Sequence, residues 1–232
     1  MTDELGFVND NIAVIRRNIS EAAARCGRNE NDIRIMAVTK TVAPEKVNRA
    51  VSLGLTLLGE NRVQEFLSKQ EAYDKSAEVH FIGHLQTNKV KYIIEPMTMI
   101  QSVDSIKLAQ EINRQAIAHN KVMDILWEVN IGGEESKSGV SPNELIPLLE
   151  QTAELSGVRV KGLMTIPPPS SGDLFLGRME ELFNSVKGRN ISGISMNVLS
   201  MGMTHDYEEA VRHGSTLVRI GSGLFGARDY SR

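Results

Sequence analysis

The 232-residue chain has one cysteine, Cys26, which excludes an internal disulfide framework and any zinc cluster built on cysteines. Lys and Arg number 26 against 29 Asp and Glu, so there is no basic excess of the kind that binds nucleic acid or an anionic membrane. No apolar run approaches the roughly 20 residues needed to cross a bilayer. The opening "MTDELGFVND" carries acids where an export signal carries basic residues, so the protein is expected in the cytoplasm. His80, His84, His119, His205 and His213 show no metal-ligand spacing. No G-x-S-x-G nucleophile elbow occurs. "GSGLFG" (221–226) fits G-x-G-x-x-G, yet too little chain follows it for the strand and acid of a dinucleotide site.

What the chain does contain is alternation. Residues 4–26 read as a helix, with Val8, Ile12, Ile15 and Ile19 at helical spacing. Eight short apolar runs follow: 33–39, 55–61, 79–84, 99–103, 123–130, 158–166, 196–202 and 215–223. Helical stretches lie between them. "PEKVNRAVSLG" (44–54) starts at a first-turn proline and stops at glycine. "SPNELIPLLEQTAELSG" (141–157) pairs Ser141 with Glu144 in a capping box, with Pro147 disturbing its start. "THDYEEAVRHG" (204–214) again closes on glycine. Alternating βα units without a linker predict one α/β domain over residues 1–232, a (β/α)8 TIM barrel with an extra N-terminal helix. An open doubly wound sheet is the alternative. The longest irregular piece, "IPPPSSGD" (166–173), follows the sixth run.

Barrel chemistry gathers at the carboxyl ends of the strands. Lys40, Asn61, His84, Asn130, Ser200 and Gly202 stand there, and Arg219 and Gly221 lie on the eighth run. Alternation puts Lys40 on the face of Met36 and Val38, and Arg219 on the face of Leu217, so both cations point into the barrel mouth. A strand-end lysine taken alone is more often a surface lysine, and Lys137 in "EESKSG" reads as a solvated loop residue. Arg219, flanked by Val218 and Ile220, calls for an anionic or acceptor partner. The small residues of "SMGMT" (200–204) and "GSG" (221–223) offer backbone amides where barrels commonly bind phosphate, although two ordinary tight turns explain the glycines as well. Asp206 and Glu208 would oppose an anion there, leaving the amides of residues 201–203 and the hydroxyls of Ser200 and Ser222 to hold it. A buried lysine facing a phosphate pocket suggests Schiff-base chemistry. Either a sugar phosphate, as in a lysine-dependent aldolase, or pyridoxal phosphate fits.

The stretches "AVTKT", "GENRVQE", "HFIGHLQTNKVK", "VNIGGEESKSG", "GLMTI" and "LSMGMTHDYEEAVRHGSTLVRIGSGLFGARDY" resemble, in order and spacing, the pyridoxal phosphate homeostasis protein family. That family is similar in fold to the barrel domain of alanine racemase, the third fold type of pyridoxal phosphate proteins. The resemblance implies that Lys40 holds the cofactor as a Schiff base. Ser200, Met201, Gly202 and Met203 would form the phosphate loop, Gly221 and Ser222 would complete the cup, and Arg219 would stand beside the pyridine nitrogen. Asn61 and His84 are expected near the ring. Tyr207, beside the phosphate loop, is the only tyrosine expected within reach of the site, and nothing marks it as a base. The implied role is a cofactor carrier or buffer without turnover, supplying apo-enzymes and acting as a monomer, with a racemase-like enzyme as the alternative.

Overall fold

Eight parallel strands pair in chain order and the last returns to the first, closing a barrel. The structure, a computed structural model, describes residues 5–168 and 172–227. Its strands are β1 (Arg34–Val38), β2 (Leu57–Glu60), β3 (Glu78–Phe81), β4 (Met99–Val103), β5 (Met123–Glu128), β6 (Val158–Met164), β7 (Val198–Ser200) and β8 (Leu217–Ile220). The open-sheet alternative is overturned by the β1–β8 ladder, which pairs Met36 with Arg219. Most strands are shorter than the apolar runs that announced them. The excess residues form the turns at the mouth, where the ladder stops and side chains can face a ligand.

The helices are α1 (Gly6–Arg25), α2 (Pro44–Ser52), α3 (Val63–Lys69), α4 (Val90–Ile93), α5 (Ile106–Ala118), α6 (Leu145–Ala153), α7 (Gly172–Gly188), α8 (Tyr207–Arg212) and α9 (Ser222–Phe225). α9 has 4 residues and cannot cover the barrel wall behind it. α1 lies against α2, α8 and α9 instead, burying Val8, Ile12, Ile15 and Ile19. The predicted N-terminal helix therefore completes the outer ring. α6 begins at Leu145, later than the sequence suggests, but the Ser141 amide still donates to Glu144 Oε2 at 3.2 Å. Pro147 falls in its first turn, where a missing N–H costs nothing. Residues 169–171 of the predicted irregular piece lie outside the described residues. No helix among the described residues is long and apolar enough to cross a membrane.

Two apolar layers separate barrel from helices and fill the barrel itself. The outer layer includes Trp127, Phe66, Phe81 and Ile112. Inside sit Met36, Val38, Leu57, Ile82 and Leu217, with Met99, Leu126 and Met164 across from them. The side-chain period of two makes this division, and it turns every second residue of β8, Arg219 included, inward. Gly59 on β2 leaves room for the inner layer, since a Cβ there would lie 2.5 Å from Met36 Sδ.

Candidate functional site

At the carboxyl end of the barrel a cavity of about 420 Å³ is lined by Lys40, Asn61, Met203, Arg219, Gly221 and Ser222, with Thr204 and His205. Val38, Ile82 and Ile166 supply apolar walls. Lys40 lies two residues past Val38 on the inward face and is half-buried. The turn that follows it is strained: Thr41 has φ 61°, a left-handed conformation rare for a β-branched residue. Glu65 on α3 holds that turn by accepting the Thr41 amide, and it pairs with Lys69, which also reaches the Thr39 carbonyl at 3.4 Å. Local strain at a site persists only where surroundings over-determine it, and α3 provides that here.

Arg219 is 3 % exposed. Its Nη1 donates to Ser200 Oγ at 2.7 Å and its Nη2 to the Thr165 carbonyl at 2.8 Å. Burial pushes its pKa down to about 10, with Glu128 and Asp206 opposing, so the guanidinium stays charged at neutral pH. Glu128, at the end of β5, is buried as well. Burial first, then Asp104, pushes its pKa up to about 7, and Arg219 holds back a further rise. A buried cation without full anionic compensation is costly unless a ligand or a neighbour answers it.

The turns after β7 and β8 line the same cavity, beside the end of β1, and lie close together. A Cβ at Gly223 would come within 2.8 Å of Thr204 Cγ2, so the approach requires glycine. The Gly223 amide donates to Thr204 Oγ1 at 3.2 Å, and Ser222 Oγ lies 3.4 Å from the same oxygen. Among the described residues the amides of Gly221 and Ser222 donate to no protein acceptor. Asn61 Oδ1 is likewise buried without a hydrogen-bond partner. The cavity wall thus offers two amides, two hydroxyls, one amine and one guanidinium: a donor set suited to an anion joined to a flat, partly apolar body.

Several expected residues sit elsewhere. Ser200 is fully buried under Arg219, and Met201 packs in the outer apolar layer. Gly202 carries the turn at φ 92°. Of these phosphate-loop residues only Met203 lines the cavity. The amides of Met201 and Met203 are already committed, to the Leu217 carbonyl and to Asp206 Oδ1. Asp206 therefore caps its own turn, and of the turn amides expected to face a ligand those of Met201 and Met203 are bonded within the protein while those of Gly221 and Ser222 are not, among the described residues. His84 does not line this cavity. Its side chain is 63 % exposed, pairs with Asp104 at 3.3 Å, and faces a neighbouring hollow shared with Asn61, Arg62 and Lys89. β3 ends at Phe81, and Gly83 passes so near the Asn61 backbone that the chain turns away before His84. Tyr207 points at α1, where its hydroxyl accepts from Asn18 Nδ2 at 2.9 Å. Lys137 pairs with Glu134 in its own loop at 2.6 Å.

Thr204, Ile82, Ile166 and His205 line the cavity without having been singled out as site residues by the sequence. Neither were Gln101, Thr165 and Glu128, which surround Arg219 or its support. Their signal was a polar residue inside an otherwise apolar run, as in "MIQSV" and "ILWEVN".

A closed parallel barrel with an inward lysine just past β1 and an inward arginine on β8 defines a class, and the family model for the alanine racemase N-terminal domain matches residues 11–229. Alanine racemase from Clostridium difficile superposes with a TM-score of 0.75 at 17 % identity, covering 97 % of this chain and 57 % of that one, a likeness of fold. The pyridoxal phosphate homeostasis protein of Aquifex aeolicus is 45 % identical over 226 residues, covering 95 % of this chain and 98 % of that protein. The Escherichia coli K12 protein of the same name is 39 % identical, covering 96 % and 97 %. PipY of Synechococcus elongatus, solved with PLP bound, superposes with a TM-score of 0.78 at 28 % identity, covering 90 % of this chain and all of that one. The chain belongs to the pyridoxal phosphate homeostasis protein family.

Proposed function

We propose that this protein is a cytoplasmic, monomeric carrier of pyridoxal 5'-phosphate that holds the cofactor through Lys40, buffers its supply and passes it to apo-enzymes without turning over a substrate. The observation that carries this reading is the convergence of Lys40, Arg219 and the unanswered amides of Gly221 and Ser222 on one cavity. These residues fit the group. The two amides, with the hydroxyls of Thr204 and Ser222, suit a phosphate, and Val38, Ile82 and Ile166 suit the faces of a ring. Asn61 Oδ1, buried and without a partner, can accept from a ring substituent.

When bound, the cofactor supplies an electron-withdrawing ring whose strength depends on the proton at its pyridine nitrogen. Arg219 bears on that proton. A guanidinium only donates, and at a pKa of about 10 it does not surrender its proton at neutral pH. Placed beside that nitrogen, Arg219 would donate to its unprotonated form and would leave the ring a weak acceptor of electrons. Tyr207, held by Asn18 on α1, does not reach the cavity to move a proton. Holding and release suit this arrangement better than carbanion chemistry.

The test is a visible spectrum of the purified protein, then borohydride reduction and peptide mapping. A yellow preparation whose reduced cofactor maps to the Lys40 peptide is expected, and Lys40→Ala should be colourless. A colourless wild type, or mass on Lys137, would overturn the assignment. Exchange of α-hydrogen from added amino acids at buffer background is expected; exchange well above it would replace the carrier by a racemase-like enzyme.

A further inference from the structure

Below the cavity, inside the barrel, polar groups stand in single file. His80 on β3, Gln101 on β4 and Ser200 on β7 are buried to within 1 % exposure among Met36, Met99 and Leu126. None of the three lines the cavity. Arg219 Nη1 meets Ser200 Oγ at 2.7 Å, and Ser200 Oγ meets Gln101 Oε1 at 2.7 Å. Gln101 Nε2 meets His80 Nδ1 at 2.8 Å, and His80 Nε2 meets Glu78 Oε1 at 2.8 Å. Glu78 is anchored in turn by Arg34 at the amino end of the barrel.

The guanidinium sets the direction of the whole file. It can only donate, so Ser200 accepts from it and sends its own hydroxyl hydrogen to Gln101 Oε1. Gln101 then presents its NH2 to His80 Nδ1, which must be a lone pair. The ring proton therefore sits on Nε2 and donates to Glu78. Burial holds the His80 pKa below its ordinary value, and the His80 bond first, with Arg34 adding to it, brings Glu78 down to about 2. With Gln101 reversed, the Ser200 hydroxyl hydrogen loses its acceptor. His80 must then either turn a bare nitrogen to the Glu78 carboxylate or carry a charge in the core. Either outcome leaves an unsatisfied buried group, costlier than the bond itself.

We infer that His80 and Gln101 are positioning residues for Arg219: a one-directional hydrogen-bond chain anchored on Glu78 fixes the guanidinium where it meets the cofactor, so residues outside the cavity govern how firmly the cofactor is kept. This rests on Arg219 facing the ring, as proposed above.

The experiment uses the full chain, wild type and Gln101→Met, with the exposed Gln110→Met as control. 15N NMR of histidine-labelled, cofactor-free protein reads the His80 tautomer. The Nε2–H form with a hydrogen-bonded Nδ1 is expected in wild type, and loss of the Nδ1 bond in Gln101→Met. Release of pyridoxal phosphate from loaded protein, followed in the visible band against a scavenging apo-enzyme, should be about tenfold faster in Gln101→Met, the scale of one buried hydrogen bond. Gln110→Met should match wild type. If Gln101→Met does not fold, Gln101→Glu keeps the size and the acceptor for Ser200; it should force His80 into the doubly protonated form and also speed release. An Nδ1–H tautomer in wild type, or wild-type release from a folded Gln101 variant, overturns the inference while the carrier reading stands. A wild type that takes up no cofactor overturns the carrier reading, and the inference with it.

Discussion

Glu128→Gln turns the electrostatics of the site into a measurable stability. Glu128 is 6 % exposed, and its pKa is pushed from 4.5 to about 7, chiefly by burial. The folded protein then holds this proton more tightly than the unfolded chain does. Its contribution to stability is full below pH 4.5 and is lost as pH rises through 7. A rise of about 2.5 in pKa, at about 1.36 kcal/mol for each unit, comes to about 3 kcal/mol. Glutamine does not titrate. Whatever constant offset the substitution brings, the stability of Glu128→Gln relative to wild type should therefore increase by about 3 kcal/mol between pH 4.5 and pH 8. Arg219, with its pKa at about 10, keeps its charge across that window and adds no slope. Urea unfolding of both cofactor-free proteins at several pH values, at fixed ionic strength and with unchanged m, reads the difference. A difference that stays flat with pH would show Glu128 titrating like a surface carboxylate. The packing described around Arg219 would then be wrong.

Gly202→Ala should cost about 2–3 kcal/mol and several degrees in Tm. The backbone there is left-handed, and the new Cβ would lie 2.5 Å from Ala210 Cβ and 3.1 Å from the Tyr207 backbone on α8. An unchanged melting curve would refute that packing. Thr41→Gly should leave Tm unchanged or raised, because relief of about 1–2 kcal/mol of strain offsets the added entropy of the unfolded chain. A clear drop in Tm would mean that the turn after Lys40 is not strained. Tyr73→Phe should destabilise the protein by about 1–3 kcal/mol: it removes a donor from Glu60, a fully buried carboxylate otherwise bonded to Thr39 Oγ1 at 2.6 Å, whose pKa burial already raises. Denaturant unfolding at pH 7 checks it, and a neutral substitution would contradict the Glu60 network.

Local pattern was enough for the frame of this protein. β-Branched runs punctuated by glycine announced eight strands, and the period of two already placed Lys40 beside Val38 and Arg219 beside Leu217 on the inner face. Those are properties of neighbours in the chain, set by backbone geometry that repeats over a few residues. The hydrogen bonding of the turns at the mouth was not legible in this way. Small residues mark a turn, but which amides stay free depends on the carbonyl of Leu217 and the carboxylate of Asp206 that occupy the others. That His84 turns away from this cavity is not legible in the sequence, because the close approach of Gly83, just past β3, to the backbone of Asn61, just past β2, decides where the chain leaves the barrel.

Nothing in the order of residues announced the buried file. Gln101 is 21 residues from His80 and 99 from Ser200, and each reads as an isolated polar residue in an apolar strand. Chain order alone determined which side chains face inward. Closure of the barrel decided which of them touch, because it brings β3, β4, β7 and β8 around one axis, where a donor-only guanidinium dictates the hydrogen-bond direction of partners far away in sequence.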